Sequence, residues 1–256
     1  MASRSPTLLA LAVGVTLTAC STVGTSMSAP SSSSSPSLPS PTPGVTAAPS
    51  VSATTSPTAV PAPTYPANVM DAPAFSPLEV ETYFIEPVAT DIQVFYTIPA
   101  EGWLGWIGTF KPEQGNQGVG MSIVNVTNVV QEGCTTHAAA DPPVGPTVDD
   151  MAAALAALSP FILTKPPSDV TVDGFSGKHL DLTVPDLAVR VIGDDTAFTD
   201  CTSGELKSWI GEPLSYAFHG YSHPGQVEEI WLLDVDGTRL MISAIWSPGS
   251  PVWPRR

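Results

Sequence analysis

An α+β fold is predicted for this chain of 256 residues: a mostly antiparallel β-sheet with one or two packed helices, reached through a disordered N-terminal tether. Three observations predict it. Beyond residue 79 the sequence breaks into short runs of β-branched and aromatic residues separated by Gly, Pro and Asp, the pattern of strands and turns. One stretch near residue 150 has helical composition behind a complete N-terminal cap. From Ser21 to Pro66 the chain is almost wholly Ser, Thr, Pro, Ala and Val, and there is no charged residue from Ser5 to Met70. Such a segment has too little apolar bulk to offset the entropy of ordering.

The chain opens with a single positive charge at Arg4, an apolar core over 8–17, and small residues up to Cys20. This is the layout of a secretory signal, too short to span a hydrocarbon layer of roughly 30 Å. Its last four residues, Leu17-Thr18-Ala19-Cys20, resemble the lipobox of bacterial lipoproteins, whose cysteine is acylated and becomes the first residue after cleavage. An ordinary signal peptide with an incidental cysteine is the competing reading. The resemblance implies a signal peptide over 1–19, lipidation at Cys20 and a position on the outer face of the cell membrane. Two or more acyl chains, at about 0.8 kcal/mol per buried methylene, hold durably where one does not. Residues 20–74 then form a tether, reaching on the order of 40 Å as a coil and up to roughly 150 Å as polyproline helix. A single extracytoplasmic domain is expected over 75–256.

Within that domain, "VETYFI" and "IQVFYTIP" read as strands, as do "GWLGWIGTF" and, after a break at 111–118, "VGMSIVNVTNVV". Prolines upstream of Thr147 forbid helix, whereas Thr147 and Asp150 have capping-box spacing and place acid at the positive helix end; a helix is predicted over 148–158. Pro160, Pro166 and Pro167 end it. "DVTVDGFSGKHLDLTVP" predicts a hairpin about Asp173-Gly174, with Leu180 and Leu182 on one face and His179, Asp181 and Thr183 on the other. Residues 186–204 are polar and poorly patterned, and "ELKSWI" is strand-like. The clearest hairpin is "VEEIWLLDVDGTRLMISAIW", turning at Asp236-Gly237, with Leu240, Ile242, Ala244 and Trp246 on one face.

Nine basic residues against twenty-four acidic ones, a formal charge of −15, disfavour nucleic acid and anionic membrane as partners. With Cys20 acylated, Cys134 and Cys201 remain, and an even pair in an exported chain closes a disulfide. The alternative, a nucleophilic Cys134 with His137 three residues on, needs a free thiolate.

The segments "GWLGWIGTFKPEQGNQGVGMSIVNV", "DPPVGPTVDDMAAALAAL", "VTVDGFSGKHLDLTVP" and "IWLLDVDGTRLMISA" resemble a group of actinobacterial lipoproteins of unassigned activity, through Gly102, Trp103, Cys134, Cys201, Asp236 and Gly237. The order of elements is similar to the Mog1/PsbP-like sandwich. That likeness implies a closing C-terminal helix, which "SPGSPVWPRR" cannot form. The final hairpin is therefore expected to leave an apolar patch bare, or covered by the aromatic loop over 216–221.

No catalytic set and no cofactor motif is legible. His219 and His223 are four apart, the spacing of a helical metal pair, but Gly220 and Pro224 argue against a helix there. "GYSHPG" around Ser222 and "GFSG" around Ser176 both miss the G-x-S-x-G nucleophile elbow. Asp194, Asp195 and Asp200 crowd one loop without EF-hand spacing and read as solvated acids. Tyr216, Phe218 and Tyr221 form the candidate ligand-binding cluster, since loop aromatics suit a glycan or protein partner. Trp231 and Trp246 read as core. The expectation is a non-catalytic, lipid-anchored binding or adaptor module of the bacterial envelope. The alternative is an envelope-directed hydrolase or metal-dependent enzyme using the His219/His223 loop.

Overall fold

In a computed structural model the described residues are 66–112, 118–192, 195–212 and 219–250. Cys20, Asp194, Tyr216 and Phe218 lie outside them. Described structure starts earlier than the boundary expected at 75. Strand β1 (Ala67–Asn68) and a 3-10 turn over Val69–Asp71 precede β2 (Pro77–Leu78), β3 (Thr82–Ile85) and β4 (Val94–Thr97). Val69 is buried in the main core, and Asn68 caps the turn by accepting from the Met70 amide at 3.0 Å. The apolar residues of 66–74 had too little periodicity to be separated from the tether.

The strands predicted from short β-branched runs follow: β5 (Trp103–Trp106), β6 (Gly108–Lys111), the long β7 (Val119–Glu132) and β8 (Thr136–Ala139). Helix α1 (Val148–Ala156) carries the expected capping box, with Asp150 N–H donating to Thr147 Oγ1 at 3.1 Å and Thr147 N–H donating to Asp150 Oδ2 at 3.0 Å. Arg239 fastens the helix start to β7 by donating to the carbonyls of Val126, Thr127, Gly145 and Thr147.

Strand β9 (Ile162–Val172) begins well before the expected Asp169 and includes Pro166 and Pro167. Prolines survive in a sheet only on an edge or at a bulge, and here both conditions hold. β9 is the terminal strand, and its register with β10 (Phe175–Thr183) slips between His179 and Asp181, where both prolines oppose Leu180. Residues 186–204, read as irregular, contain a separate two-stranded hairpin of β11 (Val189–Ile192) and β12 (Asp195–Phe198). The chain continues through β13 (Trp209–Gly211), β14 (Val227–Val235) and β15 (Thr238–Trp246). Both predicted Asp-Gly turns have positive φ at each residue, 48° and 87° at Asp173-Gly174 and 51° and 82° at Asp236-Gly237. This is the mirror-image turn whose twist matches a hairpin.

The main sheet runs β2-β5-β6-β7-β15-β14-β10-β9, with β8 and β13 also on β7; a second sheet orders β1-β3-β4. Pairings in the main sheet are antiparallel. Alternation along its strands fills a core on each face. Toward α1 point Leu180, Leu182, Ile230, Leu232 and Met241, against Met151 and Leu155. On the other face Leu233, Leu240, Ile242 and Trp246 pack against Ile85, Val94, Tyr96 and Ile98. The expectation of a bare or loop-covered patch is therefore wrong: the N-terminal strands β3 and β4 cover the Leu240–Ile242–Trp246 face. Among the described residues no helix is long and apolar enough to cross a membrane.

Cys134 and Cys201 form a disulfide across 67 residues, beside buried Phe198, Leu206 and Tyr221. This removes the nucleophilic reading of Cys134. His137 is spent on the Gly133 carbonyl at 3.0 Å.

Candidate functional site

Strand alternation sends the neighbours Glu228 and Glu229 to opposite faces of β14. Each meets a histidine stacked on a tryptophan.

On the helix side Glu228 is fully buried. Its carboxylate accepts from Trp209 Nε1 at 2.9 Å and from the hydroxyls of Tyr221 and Ser243. Tyr221 also bonds Ser208 Oγ at 3.0 Å. His219 stacks face to face on Trp209, with ring centroids 5.0 Å apart and planes 2° from parallel. Its Nε2 stands 3.6 Å from Glu228 Oε1, beyond hydrogen-bond reach. Burial holds the His219 ring below the ordinary imidazole range, with the Glu228 charge opposing, and burial raises the Tyr221 phenol, reinforced by Glu228. Three donors satisfy the Glu228 carboxylate, whereas His219 Nε2 is buried beside it with no hydrogen-bond partner among the described residues.

Two expectations change here, and the reading that Ser222 misses a nucleophile elbow stands. Tyr221 is core: only 7% exposed, it packs on Phe161 at 4.8 Å and offers no surface to a ligand. His219 and His223 do not converge, because His223 turns its Nε2 to the Ser247 hydroxyl. Ser222 meets Gln226 rather than an imidazole.

The opposite face holds the arrangement that sequence reading missed. His179 stacks on Trp231 at 4.8 Å and 21°. Its Nε2 lies 2.8 Å from Glu229 Oε1 and 3.5 Å from Asp181 Oδ1, while Lys165 Nζ sits 2.7 Å from Nδ1. The three ligand-bearing groups of His179, Asp181 and Glu229 fall within 4.8 Å of one another. Asp181 and Glu229 are direct cross-strand partners, and two like charges opposite each other repel. Their side chains are 20% and 26% exposed and that of His179 9%. The bulges around Leu180 carry Lys165 to the imidazole, although its backbone partner is Asp181. An ammonium only donates, so Nδ1 accepts and the ring proton lies on Nε2, directed at Glu229. His-x-Asp on one strand was visible as a same-face pair; that Glu229 faces it depends on a register 48 residues away, for which the sequence carries no local signal.

In the groove beside the start of α1, Lys178 is paired with Asp149 at 3.1 Å and Asp169 at 2.6 Å. Arg239 lines the same groove with its guanidinium committed to carbonyls. Comparison with family profiles, curated proteins and solved structures finds no match for this chain.

Proposed function

We propose that the chain is a lipid-anchored, extracytoplasmic binding or adaptor module of the bacterial envelope, non-catalytic, taking a protein or glycan of that envelope as partner. One observation carries the reading. Phe75 and Trp106 stack at the surface, centroids 5.8 Å apart, and remain 55% and 39% exposed. Phe75 adopts φ 64°, a left-handed conformation that costs a bulky residue of order 1–3 kcal/mol. Backbone strain that displays an aromatic ring rather than burying it fits a recognition surface better than a packing need. A helix on one face of an antiparallel sheet and a small sheet on the other support the Mog1/PsbP-like sandwich, which belongs to this proposal. So do the likeness to actinobacterial lipoproteins and the lipid anchor at Cys20.

The test is capture from native envelope with the tether intact, comparing the wild-type chain with a Phe75→Ala/Trp106→Ala variant of equal melting midpoint. Loss of a captured protein or glycan in the variant supports the surface; an unchanged set of partners rejects it. Labelling with a palmitate analogue tests the anchor separately, since Cys20→Ala should abolish it.

A further inference from the structure

We propose that His179, Asp181 and Glu229 form a binding site for a divalent cation of the zinc class, and that Lys165 is a built-in competitor for it. The donor set is one imidazole nitrogen and two carboxylates, which suits a borderline ion such as Zn²⁺ better than calcium, whose ligands are oxygens. Metal–ligand bonds of about 2.0–2.2 Å place neighbouring ligand atoms roughly 3.0–3.5 Å apart. The separations here are 2.8 Å from Nε2 to Glu229 Oε1 and 3.5 Å from Nε2 to Asp181 Oδ1, with all three ligand atoms within 4.8 Å of one another, so the two carboxylates draw together on the ion by side-chain rotation.

Three further features support the site. Two carboxylates are set opposite each other on neighbouring strands, an arrangement a shared cation relieves. Trp231 stacks on the imidazole and fixes the ring plane. The partly exposed carboxylates, 20% at Asp181 and 26% at Glu229, give an ion access from solvent.

Lys165 acts against the ion in two ways. Its ammonium is a positive charge held 2.7 Å from the ring that would carry the ion, and so repels it. It also holds the imidazole in the wrong tautomer, because Nδ1 accepts from Nζ and the proton occupies the Nε2 position the metal needs. Binding moves the ring proton from Nε2 to Nδ1. Lys165, which cannot accept from Nδ1–H, then leaves for solvent, a move open to an exposed residue on the edge strand. This site is independent of the proposed partner surface at Phe75 and Trp106.

Calorimetric titration of Zn²⁺ into the tag-free, metal-free full chain tests the proposal, with Lys165→Gln, His179→Gln and Glu229→Gln compared. One ion per chain is expected, bound at least tenfold more weakly by His179→Gln and Glu229→Gln and several-fold more tightly by Lys165→Gln. Melting midpoints without metal establish that each variant folds, and isosteric Glu229→Gln at a partly exposed position keeps the test valid if His179→Gln does not. Co²⁺ should quench Trp231 emission in the wild type and not in Glu229→Gln. Absence of stoichiometric binding by both the wild type and Lys165→Gln overturns the site, as does binding that neither ligand variant weakens. Equal or weaker binding by Lys165→Gln overturns the role of the lysine.

Discussion

Two histidine–tryptophan stacks lie on opposite faces of one strand, and their environments have little else in common. Around Glu228 the acid is sealed, its oxygens are filled by indole and hydroxyl donors, and the nearby imidazole is 3.6 Å away. Around Glu229 the acid is partly wet, the imidazole is in direct contact, and a second carboxylate and an ammonium complete the group. Adjacent, chemically identical side chains therefore take different parts because one faces α1 and the other the more open end of the opposite face. Burial with the acid's oxygens filled makes a structural network. Partial exposure with mixed charge is the setting that the proposed cation site requires.

The sealed side should break most severely when its surroundings are loosened. Converting Cys134 and Cys201 to serine removes a cross-link spanning 67 residues, worth roughly 4 kcal/mol on the chain-entropy account, next to the Tyr221 end of the network. Denaturant unfolding measures the loss, and mass mapping without reductant should recover the linked peptide from the wild type.

Replacing the two glutamates sharpens the contrast directly. Glu228→Ala leaves Trp209 Nε1 and the Ser243 hydroxyl without their buried acceptor while Tyr221 keeps Ser208, so a cost of about 3 kcal/mol is expected. Glu229→Ala should cost less than about 1 kcal/mol, because its partly exposed ion pair is screened by solvent. Equal losses in the two variants would mean that both clusters are structural.

The last contrast is in pH dependence. Burial lowers the His219 pKa in the folded chain, with the Glu228 charge opposing. Below the ordinary imidazole value of about 6.5 the unfolded chain takes up a proton that the folded ring refuses, so stability falls as pH drops through that window. One such ring gives a slope of at most about 1.4 kcal/mol per pH unit. His223, also lowered by burial, adds in the same direction. Melting curves between pH 7.5 and roughly pH 5 should flatten in His219→Gln; an unchanged profile would place the dependence elsewhere.

Much of the fold was legible because its signals are local. The capping box at Thr147 and Asp150, the Asp-Gly turns and the alternation of Leu180 and Leu182 involve residues a few positions apart, and each appears where the spacing put it. The cysteine pair was legible from its parity. Other elements were not, for stated reasons. Pro166 and Pro167 argue against a strand unless that strand is an edge, which is a property of the whole sheet. The sequence predicts a bare or loop-covered Leu240–Ile242–Trp246 face because nothing in 66–98 announces that β3 and β4 fold back over β15.

The candidate site divides along the same line. Sequence alone determined the residue types, the two-residue period that puts His179 beside Asp181 and separates Glu228 from Glu229, and the strong acidity of the domain. Only the tertiary structure decided which strand lies next to which, and hence that Glu229 and Lys165 meet His179 while Tyr221 is drawn into the core on Glu228. Side-chain period is set by the geometry of the chain itself, residue by residue. Register between distant strands is set by the joint burial of both faces of the sheet, a quantity no short stretch of sequence contains.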